Sequence, residues 1–191
     1  MHKKQELAGV AFLLAAIFIA LALVSYSKWD PSFFTESTYR VGNYGGVAGA
    51  YLSDLLFTLL GVSAFFIPFF LAASGVRRIL QRPGRRAHLA GAALFTVSFS
   101  LVSGLTGIDF AFTGWNSGGF IGERGAGLLV RYLSHPGGYV FAIFSLVSSL
   151  VLLSPVPVRQ LRQFMGRAAS PALPDKKAPA PGRPGGRAQK P

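Results

Sequence analysis

The stretch LAGVAFLLAAIFIALALVSYS, residues 7–27, has 21 consecutive positions without Asp, Glu, Lys or Arg. Three more stretches share this property: residues 55–76 with 22 positions, 87–108 with 22 and 132–158 with 27. A transmembrane helix needs ~20 mostly apolar residues, whereas an apolar stretch of about 10 to 14 is typical of a soluble core. The sequence therefore predicts an integral membrane protein.

The composition points the same way and excludes several classes of site. Of the 191 residues, 51% are hydrophobic and 14% are charged, whereas soluble domains usually carry ~25% charged residues. The chain has no cysteine, which excludes disulfides, thiolate zinc sites, iron–sulfur clusters and a cysteine nucleophile. Its three histidines, His2, His88 and His135, are too far apart in sequence to indicate a metal site.

Catalytic and nucleotide-binding motifs are absent from the sequence. There is no GxxxxGK phosphate loop followed by Ser or Thr, no GxSxG nucleophile elbow and no HExxH zinc motif. We find no candidate active site, and we predict a protein that is not an enzyme and needs no cofactor.

The apolar stretches are predicted to be helices. Because the hydrocarbon region holds no water, each spanning segment must satisfy its own backbone hydrogen bonds, which favours α-helix. We predict an all-α, polytopic membrane protein with four transmembrane helices at residues 7–26, 55–75, 87–105 and 138–153. The outer loops are short, and residues 120–133 form either a short helix flat on the membrane or an irregular glycine-rich loop.

The end of the chain has a different composition. Residues 170–191 contain six prolines and three glycines in 22 positions, with no aromatic residue. Such a segment cannot bury enough surface to offset the entropy of ordering it. We therefore assign residues 1–158 to the transmembrane domain and residues 159–191 to a basic, Pro/Gly-rich cytoplasmic linker or tail.

Basic residues cluster at alternate ends of the predicted helices. Fifteen of the 19 Lys and Arg residues lie before the first helix, between the second and third, or after the fourth. The positive-inside rule therefore predicts that both termini are cytoplasmic. The turn between the second and third helices contains five arginines that we expect to bind anionic lipid headgroups: Arg77, Arg78, Arg82, Arg85 and Arg86.

A cleavable signal peptide is the alternative for the first helix. Lys3 and Lys4 would form its basic region, and the sequence ALA at 20–22 fits a signal peptidase site. The apolar run over residues 7–24 is longer than the usual ~7 to 15 residues. Cleavage would also leave an odd number of spans and place basic residues on both sides. We therefore expect the first helix to be retained.

Small residues recur at every fourth position in two regions. Rows of this kind allow close approach of helices, and they indicate packing either within this chain or against another copy or another protein. The two rows are Gly42, Gly46 and Ala50 with Gly45 and Gly49, and then Gly114, Gly118, Gly122 and Ala126.

Asp54 is an acidic residue at the edge of a predicted helix. It is either an interfacial carboxylate near the positive end of a helix dipole or, if it faced a wet pathway, part of a transport site.

The loop after the first helix and the start of the second resemble a known family. The residues that carry the resemblance are Ser25-Tyr26-Ser27, Asp30-Pro31-Ser32, the run from Asn43 to Asp54 (NYGGVAGAYLSD), Gly61, Ala64 and Pro68, with Ser117 to Gly122 (SGGFIG) and Gly137-Gly138 in the second half. Over residues 7–154 the chain is similar to the N-terminal four-span membrane domain of the FtsK/SpoIIIE-type bacterial DNA translocases.

The resemblance implies a domain of the bacterial inner membrane that anchors a cytoplasmic, hexameric, ATP-driven motor at the division septum. It implies three partners: the lipid bilayer, septal cell-division membrane proteins and further copies of the chain. The motor, its ATP site and its DNA-reading winged helix are missing from these 191 residues. The chain is then a fragment of a longer protein or a truncated relative, with no direct nucleic-acid binding by its ordered part.

The resemblance and the loop composition together select ten candidate residues. We expect them to set loop shape or to bind partners, as a septal scaffold requires: Asp30, Pro31, Asn43, Gly45, Gly46, Gly49, Asp54, Gly118, Gly119 and Gly122. Two other functions remain open from the residues alone, a small transporter or channel subunit that uses Asp54, and a freestanding lipid-binding protein that uses the basic turn and tail.

Overall fold

The computed structural model describes residues 2–33, 40–81, 86–110 and 115–154. Its helices are α1 (His2–Val24), α2 (Gly46–Leu60), a 3₁₀ segment (Gly61–Phe65), α3 (Phe66–Ile79), α4 (Arg86–Thr106) and α5 (Gly119–Leu153). Between α4 and α5, the two-residue strands β1 (Asp109–Phe110) and β2 (Trp115–Asn116) form a short antiparallel ladder. The predicted tail, residues 159–191, lies outside the described residues, so the division at residue 158 stays a prediction.

Four helical segments in the described part are long and apolar enough to cross a membrane: Lys3–Val24, Gly46–Ile79, Ala87–Thr106 and Gly119–Leu153. Their large apolar side chains are widely exposed, for example Leu7, Phe69 and Phe144. In a bundle surrounded by lipid this is the expected arrangement, because the outward faces contact acyl chains and not water. The predicted all-α class and its four spans are confirmed. The cytoplasmic placement of the termini stays a prediction.

The second span is longer than predicted and is broken in the middle. It begins at Gly46, about two and a half turns before the predicted start at residue 55. Gly61 then adopts a φ of 59°, a left-handed conformation that ends α2 and that glycine tolerates at little cost. Pro68 follows in the first turn of α3. It has no N–H to donate to the carbonyl of Ala64, and its ring crowds that carbonyl, which explains the tighter 3₁₀ turns between the two helices.

The fourth span also differs from the prediction at residues 138–153. The helix starts at Gly119, so the predicted element at residues 120–133 is helical and continues into the span. The two parts meet at Ser134, whose φ of 59° and ψ of 172° are not helical. Pro136 follows two residues later, and proline inside a helix removes a backbone donor and bends the chain. Both parts of α5 pack against α4 through a shared cluster of Leu105, Ala126 and Ala142.

The bundle is built from two close helix pairs. In the pair α1 and α3, Gly9 and Gly75 face each other so closely that a Cβ on Gly9 would lie 2.9 Å from the carbonyl oxygen of Gly75. In the pair α4 and α5, the hydroxyls of Ser98 and Ser145 are 2.7 Å apart. Small residues and hydroxyls hold membrane helices together because apolar burial gives no net gain in lipid.

Candidate functional site: the loop cluster and the glycine junction

The two ends of the bundle have different chemistry. One end, called here the basic end, carries Lys3, Lys4, Arg77 and Arg78. The opposite end, called the loop end, carries the segment between α1 and α2 and the segment between α4 and α5. The ten candidate residues belong to the segment between α1 and α2, to α2 itself, or to the start of α5.

Asn43 is the centre of the loop end. Its side chain is 5% exposed. Its Nδ2 donates to the carbonyl oxygen of Ala22 at 2.9 Å and to Oγ of Ser53 at 3.3 Å, and its Oδ1 accepts from the N–H of Gly45 at 2.9 Å. One amide therefore joins the end of α1, the start of α2 and the loop between them. We call Tyr26, Asp30, Asn43, Ser53 and Asp54 the loop cluster.

Asp30 forms a second contact within the same loop. Its Oδ1 accepts from the N–H of Gly42 at 2.8 Å, and the residue is 7% exposed. Its Oδ2 is buried and has no hydrogen-bond partner among the described residues. Pro31 follows directly and is half-buried. Asp30 therefore joins two parts of the loop, and the loop-shaping role of Pro31 stays a prediction.

The glycines of the NYGG motif allow the close contacts around Asn43. A Cβ on Gly45 would lie 2.8 Å from the Cα of Gly49, and a Cβ on Gly49 would collide with Oδ1 of Asn43. Gly46 differs, because nothing lies within 4 Å of the place its Cβ would take, and its φ is 63°. Gly45 and Gly49 therefore pack within this chain, which is one of the two alternatives that the four-residue spacing left open.

Asp54 lies two turns inside α2 and not at its beginning. The helix dipole acts mainly over the first turn, so the predicted dipole contact contributes little at this position. The observed partner is Tyr26, whose hydroxyl donates to Oδ1 of Asp54 at 3.1 Å. The carboxylate is 6% exposed, and its Oδ2 has no hydrogen-bond partner among the described residues. Because Tyr26 lies two residues after the end of α1, this contact lies near one edge of the membrane.

The second group of candidates forms a separate contact, called here the glycine junction and made of Gly61, Gly104, Gly118, Gly119 and Gly122. A Cβ on Gly118 would lie 2.7 Å from the backbone nitrogen of Gly104, and one on Gly119 would collide with Gly61. A Cβ on Gly122 would collide with the carbonyl oxygen of Ser100. At this point the start of α5 touches both α4 and the break in the second span.

The polar atoms of the glycine junction are satisfied by hydrogen bonds. The Ser100 hydroxyl donates to the carbonyl oxygen of Gly118 at 2.5 Å, and the Ser117 hydroxyl donates to that of Ser103 at 3.0 Å. The N–H of Val62 donates to the carbonyl oxygen of Ser117 at 3.0 Å. Non-helical backbone within a membrane is tolerated where protein covers it and pairs its polar atoms.

Sequence reasoning missed Gly61 and Gly104 as junction residues, together with Ser100 and Ser117. Gly61 and Ser117 contributed only to the family resemblance. The available signal was Ser100 and Gly104, which are four residues apart in α4 like Gly118 and Gly122 in α5. A matching small-residue row on a second helix is what close helix packing requires.

The predicted headgroup arginines lie at the basic end. Arg77 and Arg78 are in the last turn of α3, where the Arg78 guanidinium is 4.6 Å from the centre of the Phe12 ring. Arg86 is the first residue of α4. Arg82 and Arg85 lie outside the described residues. The lipid-binding role of the five arginines stays a prediction at this stage.

The described residues bring no three His, Asp or Glu side chains together in a way that could hold a metal ion. The loop cluster and the glycine junction hold backbone segments of different helices and loops in close contact. Together with the four spanning segments, they define a multi-pass membrane domain.

The chain belongs to the family described as the 4TM region of DNA translocase FtsK/SpoIIIE, whose family model matches residues 2–166. The resemblance drawn from the sequence is thereby confirmed. This region is the membrane part of such translocases and not their ATPase motor.

Curated relatives agree with the family. The chain is 35% identical over 100 residues to the DNA translocase FtsK of Rickettsia bellii, a match that covers 52% of this chain and 13% of the relative. It is 28% identical over 164 residues to that of Rickettsia prowazekii, covering 84% of this chain and 21% of the relative. With the relative from Pseudomonas syringae pv. tomato it shares 28% identity over 184 residues, covering 87% and 22%.

The chain thus spans about a fifth or less of the length of these relatives. No solved structure matches the chain.

Proposed function

We propose that this chain is the membrane-anchoring and septal-scaffold domain of a cell-division DNA translocase, acting in chromosome segregation coupled to cytokinesis. It holds the protein in the inner membrane at the division septum, where its loop end contacts septal membrane proteins. It assembles with further copies of itself. We assign neither ATP hydrolysis nor DNA translocation to these residues.

The observation that carries the proposal is that exposed aromatic residues lie beside the fixed contacts in the described parts of the loop, residues 25–33 and 40–45. Asn43 and Asp30 pin the segment between α1 and α2, while Trp29 is 67% exposed and Tyr44 is 76% exposed. A pre-ordered surface loses little conformational entropy on binding, and aromatic side chains dominate binding energy at protein interfaces. The same aromatic residues suit the headgroup level of a membrane, so the surface fits a partner that is itself in the membrane.

The distribution of charge supports cytoplasmic termini. Among the described residues, Lys3, Lys4, Arg77, Arg78 and Arg86 lie at the basic end. On the other side four basic residues are balanced by four acidic ones: Lys28, Arg40, Arg124 and Arg131 with Asp30, Asp54, Asp109 and Glu123. The positive-inside rule places the basic end in the cytoplasm. Green fluorescent protein fused after Pro191 should therefore fluoresce, and alkaline phosphatase fused at the same point should be inactive. The opposite pair of results would contradict this orientation.

The scaffold role is tested by the position of a fluorescent fusion in dividing bacterial cells. Trp29→Ala combined with Tyr44→Ala should lower enrichment at the septum and leave membrane insertion intact. Phe141 and Phe144 are 49% and 71% exposed on the span itself, and they provide the matched control, since two aromatic residues are again lost. Equal septal enrichment of the two double variants would exclude the loop end as the contact surface.

A further inference from the structure

A cavity of about 900 Å³ opens between the two helix pairs at the basic end. Its walls come from α1, the second span, α4 and α5, with Phe12, Ala73, Arg77, Leu89, Ala92 and Leu153 among the lining residues. The volume lies within the ~300–1,000 Å³ typical of small-molecule sites. A second cavity of about 350 Å³ adjoins it and shares Phe12, Phe70, Ser74, Leu89 and Ala92.

The cavity is closed toward the middle of the bundle by phenylalanine rings. The ring of Phe66 is 4.9 Å from that of Phe95 and 4.8 Å from that of Phe99, both in edge-to-face contact. From Phe66 to Arg78 the helix rises about 18 Å at ~1.5 Å per residue. One leaflet of the hydrocarbon core is ~15 Å thick, half of the ~30 Å of the bilayer. The apolar space therefore has the depth of a single leaflet.

The open end of the cavity is positively charged. Arg77 and Arg78 both line it, and the Phe12 ring holds the Arg78 guanidinium at this rim. In the described part of the chain, neither arginine has an ion pair with a carboxylate. An anionic ligand would supply the charge that the protein does not, because guanidinium groups bind phosphates through paired hydrogen bonds.

We infer that this cavity is a binding site for one anionic phospholipid of the leaflet at the basic end. The phosphate lies against Arg77 and Arg78, one acyl chain fills the larger cavity, and the second chain follows the smaller one. A helix of a partner or of a second copy is the less suitable occupant, since it must cross ~30 Å and the phenylalanine rings close the larger cavity at about half that depth. Basic pockets between transmembrane helices recognise anionic headgroups in this way.

This site is separate from the scaffold surface proposed above, because it lies at the opposite end of the bundle. It also differs from general attraction between arginines and the membrane, since it requires the apolar cavity as well as the charge. The charge and the cavity can be tested separately. Arg77→Gln with Arg78→Gln removes the charge, and Ala92→Trp fills the cavity without changing a charge.

Native mass spectrometry of the 191-residue chain from detergent micelles tests the site with two lipids of identical acyl chains, phosphatidylglycerol and phosphatidylcholine. The wild type should retain one phosphatidylglycerol in preference to phosphatidylcholine. Arg77→Gln with Arg78→Gln should reduce that preference about 30-fold, since each basic residue contributes about fivefold at an anionic lipid surface. Ala92→Trp should remove both lipids.

Matched controls separate the site from nonspecific effects. Lys3→Gln with Lys4→Gln removes two charges from the same end outside the cavity, and Ala90→Trp adds the same bulk to an exposed position of α4. Both should retain the wild-type preference, and circular dichroism should show equal helix content in all variants. Equal loss of lipid in the Lys3 and Lys4 variant, or a dimer that Ala92→Trp dissociates, would overturn the assignment.

Discussion

The amide oxygen of Asn43 occupies the space that a methyl group on Gly49 would need. The same oxygen accepts a hydrogen bond from the N–H of Gly45, and the amide nitrogen reaches Ala22 at the end of α1. The part of the loop next to α2 is thus held by one polar side chain that packs directly against glycine backbone. Both residues are needed, because the hydrogen bonds of Asn43 can form only if residue 49 has no side chain.

Gly49→Ala should lower the stability of the domain by about 1–3 kcal/mol, the usual cost of inserting a methyl group into a packed site. A lower apparent Tm in detergent micelles is the measurement. Asn43→Ala should also destabilise, since it leaves buried groups of Ala22 and Gly45 without a partner.

The double variant is the control for this contact. Once Asn43 is truncated, the methyl group of Gly49→Ala has room. The double variant should therefore lose less stability than the sum of the losses in the two single variants. Strict additivity would show that Asn43 and Gly49 do not act through the contact described here.

Gly122→Ala should separate α4 from α5 at the glycine junction. The new methyl group would collide with the carbonyl oxygen of Ser100, which is backbone and cannot move without shifting α4. We expect a loss of about 1–3 kcal/mol, seen as a lower apparent Tm. Gly127→Ala on the same helix is the control, because nothing lies within 4 Å of its Cβ position and alanine favours helix by ~1 kcal/mol over glycine. A drop in Tm for Gly127→Ala of equal size would refute the packing argument.

The sequence was sufficient for the number of spans because uninterrupted apolar length is a strong local signal. It misplaced the starts of the second and fourth spans for a common reason. Residues 46–54 and 119–133 are rich in glycine, alanine and polar groups, so hydropathy did not count them as spanning, and only contacts with other helices make them part of the bundle.

The spacing of the candidate glycines predicted close packing but not the surfaces that they meet, and their functional roles stay a prediction. The spacing of Gly45, Gly49, Gly118 and Gly122 indicated close packing, yet the surfaces they meet belong to distant segments such as Ala22 and Ser100. The cavity at the basic end was not predictable at all, because it depends on how two helix pairs diverge. For its arginines, the sequence predicted lipid binding, and that prediction rested on their charge alone.

Tyr26→Phe should destabilise the loop cluster through Asp54. The Tyr26 hydroxyl is the hydrogen-bond donor to Oδ1 of this buried carboxylate, and loss of a donor to a buried acceptor costs about 1–3 kcal/mol. Tyr132→Phe removes a hydroxyl from a side chain that is 78% exposed, so its apparent Tm should equal that of the wild type. Combining Tyr26→Phe with Asp54→Asn should recover part of the loss, since a neutral amide is less costly to leave buried than a carboxylate. No recovery would mean that Tyr26 acts mainly through its other contacts.

Ser134→Gly should stabilise the domain, in contrast to glycine elsewhere in α5. Ser134 has a φ of 59° and a ψ of 172°, a region used almost only by glycine, where other residues carry about 1–3 kcal/mol of strain. Relief of that strain should exceed the flexibility that glycine adds to the unfolded chain. Ser148 has no such conformation and lies in the regular part of the same helix, so Ser148→Gly should cost about 0.5 kcal/mol. The apparent Tm should therefore rise for Ser134→Gly and fall for Ser148→Gly. A fall in both would show that the bend between the two parts of α5 does not depend on a left-handed residue at position 134.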